Sequence, residues 1–214
     1  MSAPGRTLAD RVAALFIEAE PRRRAAATTG LLLTVFAVLH CGFALAWLRG
    51  PAPFDALAES LRRPLAMRVV EAALALVFAL HIVLSFAIVA EERRRPAAER
   101  RVRATRTLAG TGVVLAVFLV WHLTALRFAI RPDSFGELDF HGAVATELQD
   151  PRRALAYLGV AAVLGLHVAL GLRASLDAWW PPAGRAPVRA LAAWLVGAGL
   201  AVGYGWVVCV AWLT

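Results

Sequence analysis

The sequence predicts an all-α membrane protein, a five-transmembrane-helix bundle with its N-terminus in the cytoplasm and its C-terminus outside. Three observations carry that reading. Of the 214 residues, 60% are apolar and 18% are charged; an ordinary soluble domain has roughly 45–50% and about 25%. Five stretches reach the roughly 20 mostly apolar residues that a helix needs to cross a bilayer core. All 23 basic residues are Arg, and they stand in short runs between those stretches. Together these observations exclude a disordered chain, a disulfide-rich secreted domain and most soluble enzymes. The formal charge of +8 then belongs to membrane topology and not to a nucleic-acid footprint.

The elements follow in order along a single domain, residues 1–214. Residues 1–25 read as a charged cytoplasmic segment. Its first 20 residues fit a short amphipathic surface helix and lack the basic start, apolar core and cleavage site of a signal peptide. The spans are expected at about 26–48, 66–90, 105–130, 153–178 and 189–213, none of them with an internal Pro. The longest connection, about 131–152, holds Pro132, Gly136, Gly142 and Pro151 and reads as a structured external loop or short surface helix. Fifteen Arg fall in the N-terminal segment and in the second and fourth connections. Eight fall on the other side, namely Arg49, Arg62, Arg63, Arg68, Arg127, Arg131, Arg152 and Arg153. Positive residues favour the cytoplasm, which sets the orientation. Trp47, Trp179, Trp180 and Trp212 lie near span ends, where an amphipathic ring prefers the interface. Cys41 and Cys209 both lie in apolar stretches, against a disulfide framework or a thiolate metal site. No internal repeat stands out.

The histidines are the chemical signal. His40, His81, His122 and His167 sit one in each of the first four spans, and His141 lies in the external loop. Ionisable residues inside a membrane are rare and mark function by default. At about 1.5 Å rise per residue, His40 and His122 lie roughly 21 and 25 Å from the cytoplasmic ends of their spans. His81 and His167 lie roughly 14 and 16 Å deep. The four therefore sort into an outer pair and an inner pair. Two histidines facing each other at one depth on different helices are what a six-coordinate haem needs, each imidazole supplying one axial nitrogen. The competing reading is that each histidine hydrogen-bonds a neighbouring helix and that the nearby glycines, Gly30, Gly110, Gly112, Gly165 and Gly171, serve packing alone. Zinc fits less well, because few carboxylates or thiolates stand nearby. Cys41 adjoins His40, but neighbours on a helix point about 100° apart.

Residues 22–180 resemble a known family, the five-helix dihaem cytochrome b membrane anchor of succinate dehydrogenase and fumarate reductase. The resemblance runs through TTGLLLTVFAVLH, ending at His40, and RPLAMRVVEAALALVFALHI, holding Glu71 and His81. It continues through ATRTLAGTGVVLAVFLVWHLTALRF around His122, and DFHGAVATELQDPRRALAYLGVAAVLGLHVALGLRASLDA around His167. It implies two haem b groups, with His40 and His122 on the outer iron and His81 and His167 on the inner one, the pairing that depth also gives. It implies a flavoprotein partner, an iron–sulfur subunit on the cytoplasmic face, a quinone substrate taken as menaquinone, and a place in the bacterial cytoplasmic membrane. The chain departs from the family where HCGFALAW follows His40 without the expected polar residue, and its basic N-terminal run is all Arg. The fifth span matches weakly and carries no assigned chemistry.

Other residues keep two readings each. Glu71, in the outer half of the second span, is a proton carrier at a quinone site, or a boundary residue that reaches water or pairs with Arg68. Arg127, Arg131, Arg152 and Arg153 pair with outer haem propionates or are solvated. Arg22, Arg23 and Arg24 with Thr28 and Thr29 do the same inside, or set topology. The run from Glu91 to Arg106 docks the iron–sulfur subunit or is a solvated loop. His141 stays outside the ligand set. No flavin or dinucleotide fingerprint is present, so the expected role is electron transfer between iron–sulfur subunit and quinone rather than dicarboxylate chemistry. Two alternatives are the dihaem subunit of a hydrogenase or formate dehydrogenase, and a haem-free transporter or scaffold.

Overall fold

The computed structural model describes residues 7–8, 18–62, 65–94, 102–128, 139–180 and 186–214. The expected N-terminal surface helix, Arg131, and the middle of the run between Glu91 and Arg106 lie largely or wholly outside them. The described chain is helical, with no strand. α1 spans Ala19–Ala46 and ends in a 3-10 turn at Trp47–Arg49; α2 spans Pro51–Arg62; α3 spans Leu65–Arg94. α4 spans Val102–His122 and runs on as a π-helical turn, Leu123–Arg127. α5 spans Phe140–Gln149, α6 Pro151–Trp179 and α7 Ala186–Leu213.

Among the described residues, five helical segments are long and apolar enough to cross a membrane: Ala19–Arg49, Met67–Arg94, Arg106–Arg127, Pro151–Trp179 and Ala186–Leu213. Each overlaps one expected span. The first begins earlier than expected because its arginines are paired rather than helix-ending. Arg22 reaches Glu91 at 3.1 Å, Arg23 reaches Glu92 at 3.6 Å, and Arg24 pairs with Glu20 one turn back.

Local chemistry explains the breaks. Gly50 takes φ +93°, a conformation that costs glycine least, and turns the chain into α2, whose first residue is Pro51. Asp139 caps α5 by accepting from the Gly142 N–H at 2.6 Å. Asp150 caps α6 by accepting from the Arg152 and Arg153 N–H groups at 2.8 and 3.1 Å, with Pro151 next in sequence. The Arg153 N–H above all holds the Asp150 carboxyl below its ordinary range.

α1, α3, α4 and α6 form a four-helix ring in which α1 packs on α3 and α6, and α4 on α3 and α6. The diagonals α1/α4 and α3/α6 do not pack extensively among the described residues, which leaves side chains alone to meet across the centre. α7 lies against α6 and α1. At the α6–α7 seam, a Cβ on Gly165 would come within 2.6 Å of the Gly197 carbonyl oxygen. The two backbones are therefore in contact, the close approach that small residues permit between membrane helices. Large apolar side chains such as Leu39, Leu76, Val117, Val120, Leu195 and Val202 are exposed, as on a surface solvated by lipid.

The expected short surface helix in the third connection is present as α5, and α2 packs against it across the bundle end where the chain finishes. Beneath them Trp47, Phe54, Leu148, Ala154, Val207, Val208 and Ala211 make a buried cluster. Trp47 departs from its expected interfacial exposure: it is buried. It stacks on His141 with ring centroids 4.4 Å apart, and its indole N–H donates to the His141 carbonyl at 3.1 Å. Trp179, Trp180 and Trp212 are exposed, as expected.

Candidate functional site

The four intramembrane histidines meet across the two diagonals of the ring. His40 on α1 faces His122 on α4, with ring centroids 5.9 Å apart and planes at 65°. His81 on α3 and His167 on α6 belong to the other diagonal, each bonded to a threonine of the span that precedes its own. The first pair lies toward the end of the bundle that α2 and α5 cover. The second lies toward the opposite end. His40 and His122 are thus in ring contact across the α1/α4 diagonal.

Each Nδ1 is committed to a hydroxyl. The His81 Nδ1 lies 3.0 Å from the Thr29 Oγ1, and the His167 Nδ1 lies 2.8 Å from the Thr111 Oγ1. The His40 Nδ1 lies 3.1 Å from the Tyr204 hydroxyl, and the His122 Nδ1 lies 3.2 Å from the Tyr157 hydroxyl. The direction of three of these bonds follows from counting hydrogens. Thr29 donates its single hydroxyl hydrogen to its own helix, at the Ala25 or Ala26 carbonyl. Thr111 does the same at Thr107 or Leu108. Tyr204 donates to the Ala37 carbonyl at 2.9 Å. Each oxygen is left to accept, so the imidazole donates from Nδ1. In that tautomer the lone pair is on Nε2. Among the described residues no Nε2 makes a hydrogen bond, so three of the four rings are held in the form that a metal ligand takes, by the outer-shell bonds that such ligands use.

The glycines beside Thr29 and Thr111 supply room for the rings. A Cβ on Gly30 would sit 3.3 Å from the His81 Cε1, and one on Gly112 would sit 3.4 Å from the His167 Cε1. Phe36 and Phe118, each one turn before a histidine, pack on His40 and His122 with ring centroids 5.5 and 5.6 Å away.

These matched contacts expose a repeat that the sequence reading missed. TGLLLTVFAVLH, residues 29–40, and TGVVLAVFLVWH, residues 111–122, are identical at seven of twelve positions. The identities include Thr, Gly, Phe and His. The other positions interchange Leu, Val, Ala, Thr and Trp, which a lipid-facing helix tolerates, so the repeat hides within general apolar richness. α1 and α4 therefore carry matching segments, and the Thr of each bonds the histidine of the span that follows it, Thr29 with His81 on α3 and Thr111 with His167 on α6.

Comparison with protein-family models, with characterised proteins and with solved structures finds no match.

The described residues hold no group of three His, Cys, Asp or Glu side chains fit for a metal ion. A group that brings its own equatorial ligands needs only two. Imidazole nitrogens bound about 2.0–2.1 Å from one metal on opposite sides put the ring centroids roughly 6 Å apart. The His40–His122 separation matches that requirement. In ring spacing, His40 and His122 therefore fit two-imidazole ligation of one such group.

Glu71 pairs with Arg127 and not with Arg68. Two near-parallel bonds, Nε to Oε1 at 3.2 Å and Nη2 to Oε2 at 3.0 Å, join α3 to the π-helical turn that follows His122. Both side chains are about half exposed. Arg153 reaches the buried Glu147 carboxylate at 2.5 Å, and one Glu147 oxygen, Oε1, is buried without a partner. His141 belongs to the cover: its N–H donates to Asp55 at 2.7 Å. Cys41 is buried and forms no disulfide. Sequence reasoning did not single out Thr111, Tyr157, Tyr204 or Glu147. The Thr-Gly repeat was the available signal for Thr111, and nothing local marks the tyrosines.

Proposed function

We propose that this chain is the dihaem cytochrome b membrane anchor of a succinate:quinone oxidoreductase, carrying electrons between an iron–sulfur subunit and membrane quinone, taken as menaquinone. The observation that carries the haem reading is the set of two diagonal histidine pairs whose Nδ1 atoms are tied to hydroxyls and whose Nε2 atoms are not hydrogen-bonded. His40 and His122 hold one iron, and His81 and His167 the other. When bound, the haems supply one-electron redox chemistry. The chain's hydroxyls would orient the imidazole nitrogens toward such a group, and the buried Trp47 and Phe54 would keep water from the His40–His122 end.

The extension from haem protein to succinate:quinone oxidoreductase rests on the family resemblance. In that reading the flavoprotein and iron–sulfur subunits dock on the cytoplasmic face of the bacterial membrane, beside the Arg22–Arg24 and Glu91–Glu92 ion pairs. The N-terminus is inside, by the asymmetry of Arg between connections. Glu71 takes up or releases a quinone proton near the His40–His122 end, with Arg127 holding its carboxylate.

The test is a pyridine haemochrome assay on the complex purified through a tag on this chain, with identification of the co-purifying subunits. Two non-covalent b haems per chain, together with a flavoprotein and an iron–sulfur protein, support the reading. One haem or none refutes the two-pair assignment. Two haems with a hydrogenase or formate dehydrogenase subunit refute the partner assignment alone.

A further inference from the structure

The fifth span carries no histidine and has no copy in the repeat, yet it touches the site at one place. The Tyr204 hydroxyl on α7 donates to the Ala37 carbonyl of α1 at 2.9 Å and meets the His40 Nδ1 at 3.1 Å. The two rings have centroids 5.9 Å apart. The neighbouring Gly203 makes this contact possible. A Cβ there would come within 2.6 Å of the Cys41 Sγ, so α7 lies against α1 at the level of His40. Cys41, Val168 and Leu200 form a buried cluster that backs the contact, with Ala37 and Tyr204 packed on it.

We infer that Tyr204 is a positioning residue for His40. It fixes the Nδ1–H tautomer, turns Nε2 toward the α1/α4 diagonal and gives the fifth span its part in the site. The ligand for Nε2 rests on the function proposed above; the positioning itself does not. The hydroxyl has one hydrogen, and Ala37 takes it, so only a phenol oxygen lone pair remains for the imidazole. Accepting from Nδ1–H raises the basicity of Nε2. His122 is served differently, by Tyr157 on α6. A loss at Tyr204 should therefore act on His40 alone.

The experiment has two arms on the full chain in membranes, wild type against Tyr204→Phe, with Tyr157→Phe as the comparison. The first arm reads histidine tautomers by solid-state 15N NMR of His-labelled full-length protein prepared without haem, in which Nε2 is free to take the proton, with His40 assigned by its loss in His40→Gln. Wild type should show His40 protonated at Nδ1, and Tyr204→Phe should shift its Nδ1–H to Nε2–H ratio by about three- to tenfold, the usual net worth of one hydrogen bond. The second arm is a redox titration of the haem α-bands. Tyr204→Phe should raise the midpoint potential of one component, the one lost in His40→Ala, because the weakened ligand favours ferric iron less. Tyr157→Phe should leave the His40 tautomer unchanged. An unchanged His40 tautomer in Tyr204→Phe overturns the inference, as does a shift confined to the other haem. Wild-type protein without haem overturns the proposed function instead, and the NMR arm still decides the role of Tyr204.

Discussion

Thr29 and Thr111 place the most direct demand on the account at the scale of single residues. Each hydroxyl accepts from a histidine Nδ1 only because its own hydrogen is spent on the helix. Thr29→Val and Thr111→Val keep the side-chain shape and remove the acceptor. Loss of such an outer-shell partner typically weakens a metal site by about 10–100-fold. Each variant should thus retain less of the haem held by His81 and His167, measured as haem per chain, while the other haem stays. Thr→Ser at the same positions should restore it. Glu71 makes a separate demand. Glu71→Gln should lower quinone-linked turnover with both haems present, and leave succinate oxidation by a water-soluble acceptor intact; wild-type quinone turnover would reduce Glu71 to an ion-pair partner of Arg127. The histidines and Glu71 were legible in the sequence because ionisable groups stand out in apolar spans. Glu71's partner was not: Arg68 is near in sequence, whereas Arg127 comes close only through the packing of α3 on α4. Tyr157 and Tyr204 were invisible for the same reason, since a tyrosine in a span is ordinary until a histidine lies opposite it.

The glycines on α6 and α7 separate packing from propensity at the scale of elements. Gly165 meets the Gly197 backbone, whereas a Cβ on Gly159, on the same helix, would meet nothing within 4 Å. Gly165→Ala should cost about 1–3 kcal/mol by overpacking. Gly159→Ala should be neutral or stabilising by roughly 0.5–1 kcal/mol, because alanine restricts the unfolded chain more. Reversible unfolding of the two variants in mixed micelles checks the contrast, and equal effects would contradict the seam. The spans were legible to within a few residues from hydropathy and the absence of Pro. The start of α1 was not, because ion pairs between Arg22–Arg24 and Glu20, Glu91 and Glu92 let the helix carry charge into its first turns. The burial of Trp47 was also hidden, since its cover comes from α2 and α5, elements that hydropathy alone does not place. The repeat was present in the sequence and passed unseen, because only its Thr, Gly, Phe and His positions are chemically distinctive.

At the scale of the whole molecule α1, α3, α4 and α6 form the ring, with α7 packed on α6 and α1. The Arg distribution, fifteen against eight, predicts that the ring stands with the His81–His167 pair toward the cytoplasm. A reporter enzyme fused after Thr214 should be active only when it requires the external compartment; activity of a cytoplasmic reporter there would invert the membrane and exchange the inner and outer sites. The central claim is the diagonal pairing, and redox-resolved haem spectra of four single variants test it most directly. His40→Ala and His122→Ala should lose the same spectral and redox component. His81→Ala and His167→Ala should lose the other, with thermal melts confirming that each variant is folded. Loss of one and the same component in folded His40→Ala and His81→Ala would contradict the account.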